Sequence, residues 1–112
     1  VMVLPYRESQ KLSILGAQRG TSGALSWASA CGRGAITSDA RAFAEEVSSG
    51  NGVTFVQGDS DALAEVLLSL ARQPDLASTW GDRASSIGRE RRWSSIGRRF
   101  HKHFDELCKL GA

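Results

Sequence analysis

The segment Gly16-Ala17-Gln18-Arg19-Gly20-Thr21-Ser22-Gly23 is the densest cluster of residues suited to holding an anion. Glycine lets the backbone approach a ligand closely. Free amides and the dipole of a helix that starts there favour negative charge. No Lys-Ser/Thr follows the last glycine and the spacing is not G-x-G-x-x-G, so neither a Walker loop nor a dinucleotide fingerprint is present. An ordinary turn capped by Thr21 or Ser22 fits these residues as well as a phosphate cradle does. Ser22 is not in a G-x-S-x-G elbow, which argues against a hydrolase serine. Glu45-Glu46 offers a general acid or base, or simply two carboxylates facing water. His101 and His103 lie two apart, so a helix points them to different sides and they make a poor metal pair. Trp80 and Trp93 sit in apolar patterns and read as packing anchors.

These residues need elements to place them. Val1-Met2-Val3-Leu4-Pro5-Tyr6 is continuously apolar, as a buried parallel strand is. Ala35-Ile36-Thr37-Ser38 and Val53-Thr54-Phe55-Val56 predict two more strands, the last set off by Gly50, Gly52 and Gly58. Between them, residues 22–31 have a small-residue helical pattern with Ala24, Leu25, Ala28 and Cys31 on one side. A short turn of helix is expected over 42–47. Asp59 is a fitting N-cap for a helix whose Leu63, Val66, Leu67, Leu70 and Ala71 form one stripe. Pro74 stops it and can open the next, in which Leu76, Trp80, Ala84 and Ile87 recur on one face. A last helix from about Ser94 is expected to bury Ile96, Phe100, Phe104 and Leu107.

Alternating strands and helices predict an α/β fold: a Rossmann-like, three-layer fragment with a short parallel sheet of about three strands flanked by helices. Crossovers should be right-handed. A strand as apolar as Val1–Leu4 is a poor edge. The expected partner for it is an upstream part of the chain or a second copy; in the second case the chain is a homodimer through the open edge.

The chain has 112 residues, 41% hydrophobic and 23% charged, which fits one folded domain. Cys31 and Cys108 are too few for a disulfide framework and lack metal-ligand spacing, which points to a reduced, cytoplasmic setting. No apolar run is long enough to span a bilayer, and no stretch has the form of a signal peptide. The net charge is +2, but residues 83–112 hold eight basic and three acidic side chains. Such a tail can meet nucleic acid, anionic lipid or phosphate, or be a solvated helix face. It lacks the interleaved exposed aromatics of a single-strand binder, and no nucleic acid partner is expected.

The order of the pieces resembles the C-terminal, donor-binding part of retaining glycosyltransferases with the GT-B fold, of the group 1 or family 4 type. The resemblance rests on Val3-Leu4-Pro5-Tyr6, then Thr21-Ser22-Gly23-Ala24-Leu25-Ser26-Trp27-Ala28-Ser29-Ala30-Cys31-Gly32, then Ala35-Ile36-Thr37-Ser38-Asp39. It continues through Ala44-Glu45-Glu46-Val47, Gly52-Val53-Thr54-Phe55-Val56, Gly58-Asp59, Ala62-Leu63-Ala64 and Arg92-Trp93-Ser94. Each motif is modest; their shared order spans nearly the whole chain.

The resemblance implies that residues 1–112 are an incomplete Rossmann-like domain carrying the last three of about six strands. The donor would be a nucleotide-diphosphate sugar, transferred with retention to an unknown acceptor and without a metal. Gly20, Thr21, Ser22 and Gly23 would hold the diphosphate, and Ser26 and Trp27 would line the nucleotide side. A helix N-terminus would stabilise the departing diphosphate. Glu45 matches the family's glutamate after the next strand and either touches the donor or braces the loop. Many members carry two glutamates around this loop; Arg19 and Trp27 stand in those positions here. The acceptor-binding N-terminal half would be a necessary partner, so the chain alone should be inactive. The parent enzyme would be cytoplasmic or peripheral to the membrane. A non-catalytic module that binds nucleotide or another anion, or that self-associates, is the alternative.

Overall fold

The structure is a computed structural model that describes residues 1–8 and 22–111. Gly20 and Thr21 lie outside the described residues, as does most of the glycine-rich stretch. The elements are β1 (Met2–Leu4), α1 (Gly23–Ala30), β2 (Ala35–Ser38), α2 (Arg41–Ala44), β3 (Gly52–Phe55), α3 (Ser60–Arg72), α4 (Asp75–Glu90) and α5 (Trp93–Leu110). The strands form one parallel sheet in the order β1-β2-β3. It is flanked by helices, the α/β Rossmann-like fragment that the alternating pattern predicts.

Pairing of Met2 with Ala35 and of Leu4 with Thr37 puts Met2, Leu4 and Ala35 on one face. Leu25 of α1 and Phe43 and Val47 around α2 join Leu4, Ala35 and Ala40 in one buried cluster. Phe43 is wholly buried, and burying such a ring contributes roughly 1.5–3 kcal/mol. Every residue of β2 is buried, as expected for the central strand of a parallel sheet. A glycine opens β3 for a steric reason: a Cβ at Gly52 would lie 1.9 Å from the Ala35 carbonyl oxygen.

Asp59 caps α3 as its sequence predicts, its Oδ1 accepting from the Ala62 amide at 2.9 Å. The α3 stripe is only half-buried: Leu63, Val66 and Leu70 are partly covered and Leu67 is exposed. In α4 the expected face is the packed one. Ala84 and Ile87 are buried, with Leu76 and Trp80 partly so, and this helix lies against α1. The close approach needs Gly88, where a Cβ would meet the Ser29 carbonyl oxygen at 2.5 Å. Arg91, just past α4, pairs with Glu46, which fastens the helix to the loop after α2.

Two expectations are corrected. No residue of α5 is buried: Phe100, Phe104 and Leu107 are exposed, although the periodicity has them in the core. Trp93 is 87% exposed and anchors nothing among the described residues. The stripe exists as a stripe, but among the described residues α5 meets the body near its start, through α4. The molecule is accordingly long and thin, 60 × 39 × 17 Å. Among the described residues β1 pairs on one side only, with β2, and leaves Val1 and Val3 partly exposed. No helix among the described residues is long and apolar enough to cross a membrane.

Candidate functional site at the carboxyl edge of the sheet

In an open α/β sheet, ligands bind beyond the carboxyl ends of the strands. Here that edge is formed by the residues after Leu4, Ser38 and Phe55, together with the start of α1. Because β1 and β2 run parallel, α1 must run back against them, which brings its N-terminus to this edge. Its N-cap is Ser22, whose Oγ accepts from the Leu25 amide at 3.3 Å. The Gly23 and Ala24 amides carry no hydrogen bond among the described residues. Among the described residues nothing lies within 4 Å of the point where a Gly23 Cβ would stand, and none of them covers the first turn. Ser26 is exposed and its hydroxyl donates to the Ser22 carbonyl at 3.2 Å. One residue on, Trp27 is 71% exposed and presents its indole to solvent.

Four of the expected donor contacts, Ser22, Gly23, Ser26 and Trp27, therefore sit together on the first turns of α1. Among the described residues, Glu45 does not join them in any direct contact. It is exposed, just beyond the short α2, and its carbonyl accepts from Ser48 Oγ at 2.6 Å. Of the two adjacent glutamates, Glu46 has the structural work: it pairs with Arg91, and its carbonyl accepts from Asn51 Nδ2 at 3.0 Å.

A network across the same edge is invisible in the sequence. The Arg41 amide donates to Glu8 Oε1 at 2.8 Å. The Glu8 amide donates to Gln57 Oε1 at 2.8 Å. The Gln57 amide in turn donates to Asp39 Oδ1 at 2.9 Å. One chain of bonds thus ties together the loops that follow all three strands. Beside it, a cavity of about 200 Å³ lies between Pro5, Arg7, Phe55, Asp59 and Leu63, with the Arg7 guanidinium against Gly58. The only sequence signal for these residues is position: each falls within a few residues of a strand's carboxyl end.

The other candidates separate. His101 pairs with Asp105 at 3.0 Å, whereas His103 is 3.7 Å from Glu106. Cys31 and Cys108 are free thiols, both exposed. Among the described residues, no three His, Cys, Asp or Glu side chains gather in one place. Trp80 is half-buried on the packed face of α4. Compared with known proteins, the chain matches no family model, no curated protein and no solved structure.

Proposed function

We propose that this chain is the donor-binding side of a retaining, GT-B-type glycosyltransferase, and that it holds a nucleotide-diphosphate sugar at the start of α1. The observation that carries the reading is the first turn of α1, left uncovered by the described residues, at the carboxyl edge of a parallel sheet. The unbonded Gly23 and Ala24 amides and the positive end of the helix dipole suit a diphosphate. Exposed Ser26 and Trp27 extend the same surface, with the indole available to stack on a base or ribose.

The chemistry follows from charge. As the bond from the sugar's anomeric carbon to the diphosphate breaks, negative charge grows on the departing oxygens. Amides already aimed at that charge need no reorganisation and lower the barrier, with each well-placed donor contributing about 3–4 kcal/mol. Glu45, exposed just beyond α2, is the carboxylate we assign either to touch the donor or to brace the loop. The acceptor side is assigned to polypeptide outside this sequence, so the chain by itself should not turn over.

A second reading, a nucleotide- or anion-binding module without chemistry, is favoured by one observation. Arg19 and Trp27 occupy positions where many such enzymes carry acids. Titration of the labelled chain with uridine and guanosine diphosphates, followed by amide NMR, tests the site. Shifts confined to Gly23, Ala24, Ser26 and the Trp27 indole are expected. Gly23→Leu should fold normally, because its side chain enters open space, and should lose those shifts. No response at millimolar ligand removes the nucleotide reading altogether. Binding without transfer, once the chain is joined to an acceptor-binding domain, would favour the module.

A further inference from the structure

The exposed face of α5 is patterned for one partner in particular. Trp93, Ile96, Phe100, His103, Leu107 and Leu110 follow one another at alternating spacings of three and four residues. That is the a/d seam of a coiled coil, sustained over the whole helix. The seam is uncovered: Trp93 is 87% exposed, Phe100 59%, Leu107 63% and Leu110 83%. Phe104, next to the seam, is 61% exposed. On a helix that ties into the body at its start, so much apolar surface calls for a partner.

We propose that α5 is the interface of an antiparallel, two-fold homodimer. The argument is self-complementarity. When a second α5 is laid antiparallel with its centre opposite residues 101–102, every seam position meets a seam position of the copy. Trp93 faces Leu110, Ile96 faces Leu107, and Phe100 faces His103, each pair occurring twice by symmetry. The flanking positions match too. Arg99 falls about two residues, or ~3 Å along the axis, from Glu106 of the copy, so two opposite-charge pairs close one side. On the other side Phe104 of the copy falls equally close to Gly97. There the helix has no side chain, and among the described residues nothing lies within 4 Å of the point where a Cβ would stand.

The surface already has the receiving shape. A groove of about 220 Å³ is lined by Ile96, Arg99, Phe100 and His103. Those four positions are the ones that enclose a coiled-coil hole. In the antiparallel register, His103 and Phe104 of the copy lie over this groove. A parallel arrangement would set Arg99 opposite Phe104 rather than Glu106, leaving both charges unmatched. Within one chain, Glu106 is only loosely engaged, 3.9 Å from Lys102 and 3.7 Å from His103. Arg99 donates to the Glu90 carbonyl at 3.3 Å, and exchanging these long contacts for each other closes the pair across the interface.

Sedimentation equilibrium on the chain from low micromolar to near-millimolar concentration tests this. A monomer–dimer equilibrium is expected, with the monomer at 12.0 kDa. Phe104→Asp removes an exposed ring, so it should leave thermal unfolding of the dilute monomer unchanged while weakening the dimer about a hundredfold. Arg99→Glu and Glu106→Arg should each weaken it about tenfold, and the double exchange should restore it. A monomer at every concentration overturns the proposal. A dimer indifferent to Phe104→Asp, or one that the double exchange does not rescue, overturns it as well.

Discussion

At the scale of single residues, the start of α1 separates binding from stability. Ser22 works for the helix: its hydroxyl satisfies the Leu25 amide. Ser22→Ala should lower unfolding stability by about 1 kcal/mol in a denaturant titration. Trp27 does the reverse. It is 71% exposed, so Trp27→Ala should leave the same titration curve unmoved while weakening any nucleotide diphosphate held there. Equal stability losses from both would mean that Trp27 has cover from other residues. Thr37 offers a further residue-scale test. Its Oγ1 is buried with no hydrogen-bond partner among the described residues. An unsatisfied buried hydroxyl carries a desolvation penalty of about 1–3 kcal/mol. Thr37→Val keeps the shape and removes the hydroxyl, so the melting temperature should rise; a fall would show that the hydroxyl is satisfied.

At the scale of elements, periodicity in the sequence tells which residues share a face, and the structure decides what that face meets. Ala84 and Ile87 share a face in the sequence and are buried on α1. Phe100, Phe104 and Leu107 share a face just as clearly and lie open. The pattern is equally strong in both helices because spacing carries no information about the neighbour. Strand β2 and the Asp59 cap were legible, since burial on both sides and capping each leave a local signature. The carboxyl-edge network was not: Glu8 and Gln57 are 49 residues apart, and no local pattern announces such a bond. Glycines show the same limit. Gly88 reads as a weak spot in a helix, and Ala would gain up to about 1 kcal/mol by propensity alone. The structure reverses the sign, because a Cβ there would meet the Ser29 carbonyl at 2.5 Å. Gly88→Ala should therefore destabilise by about 1–3 kcal/mol, as overpacking does, when measured by thermal or denaturant unfolding.

At the scale of the whole molecule, stability is unevenly distributed. The buried apolar residues lie in the sheet, α1, the loop around α2 and the inner face of α4. α5 adds none. A helix without tertiary cover relies on propensity, and at 18 residues it is only marginally stable in water. Its amides should open locally, far below the global unfolding free energy. Hydrogen exchange followed by mass spectrometry can read this directly. In dilute solution, peptides from β2 and α4 should exchange slowly and peptides covering residues 93–110 quickly. If two copies pair through α5, raising the protein concentration should slow exchange in that helix alone, because association stabilises only the state it binds. Protection that rises instead at residues 1–4 would place the contact on the open edge of β1, where Val1 and Val3 are also exposed. Concentration-independent protection of α5 would mean that the helix is held by its own chain. The experiment thus ranks the apolar face of α5 against the edge of β1 by the behaviour each produces.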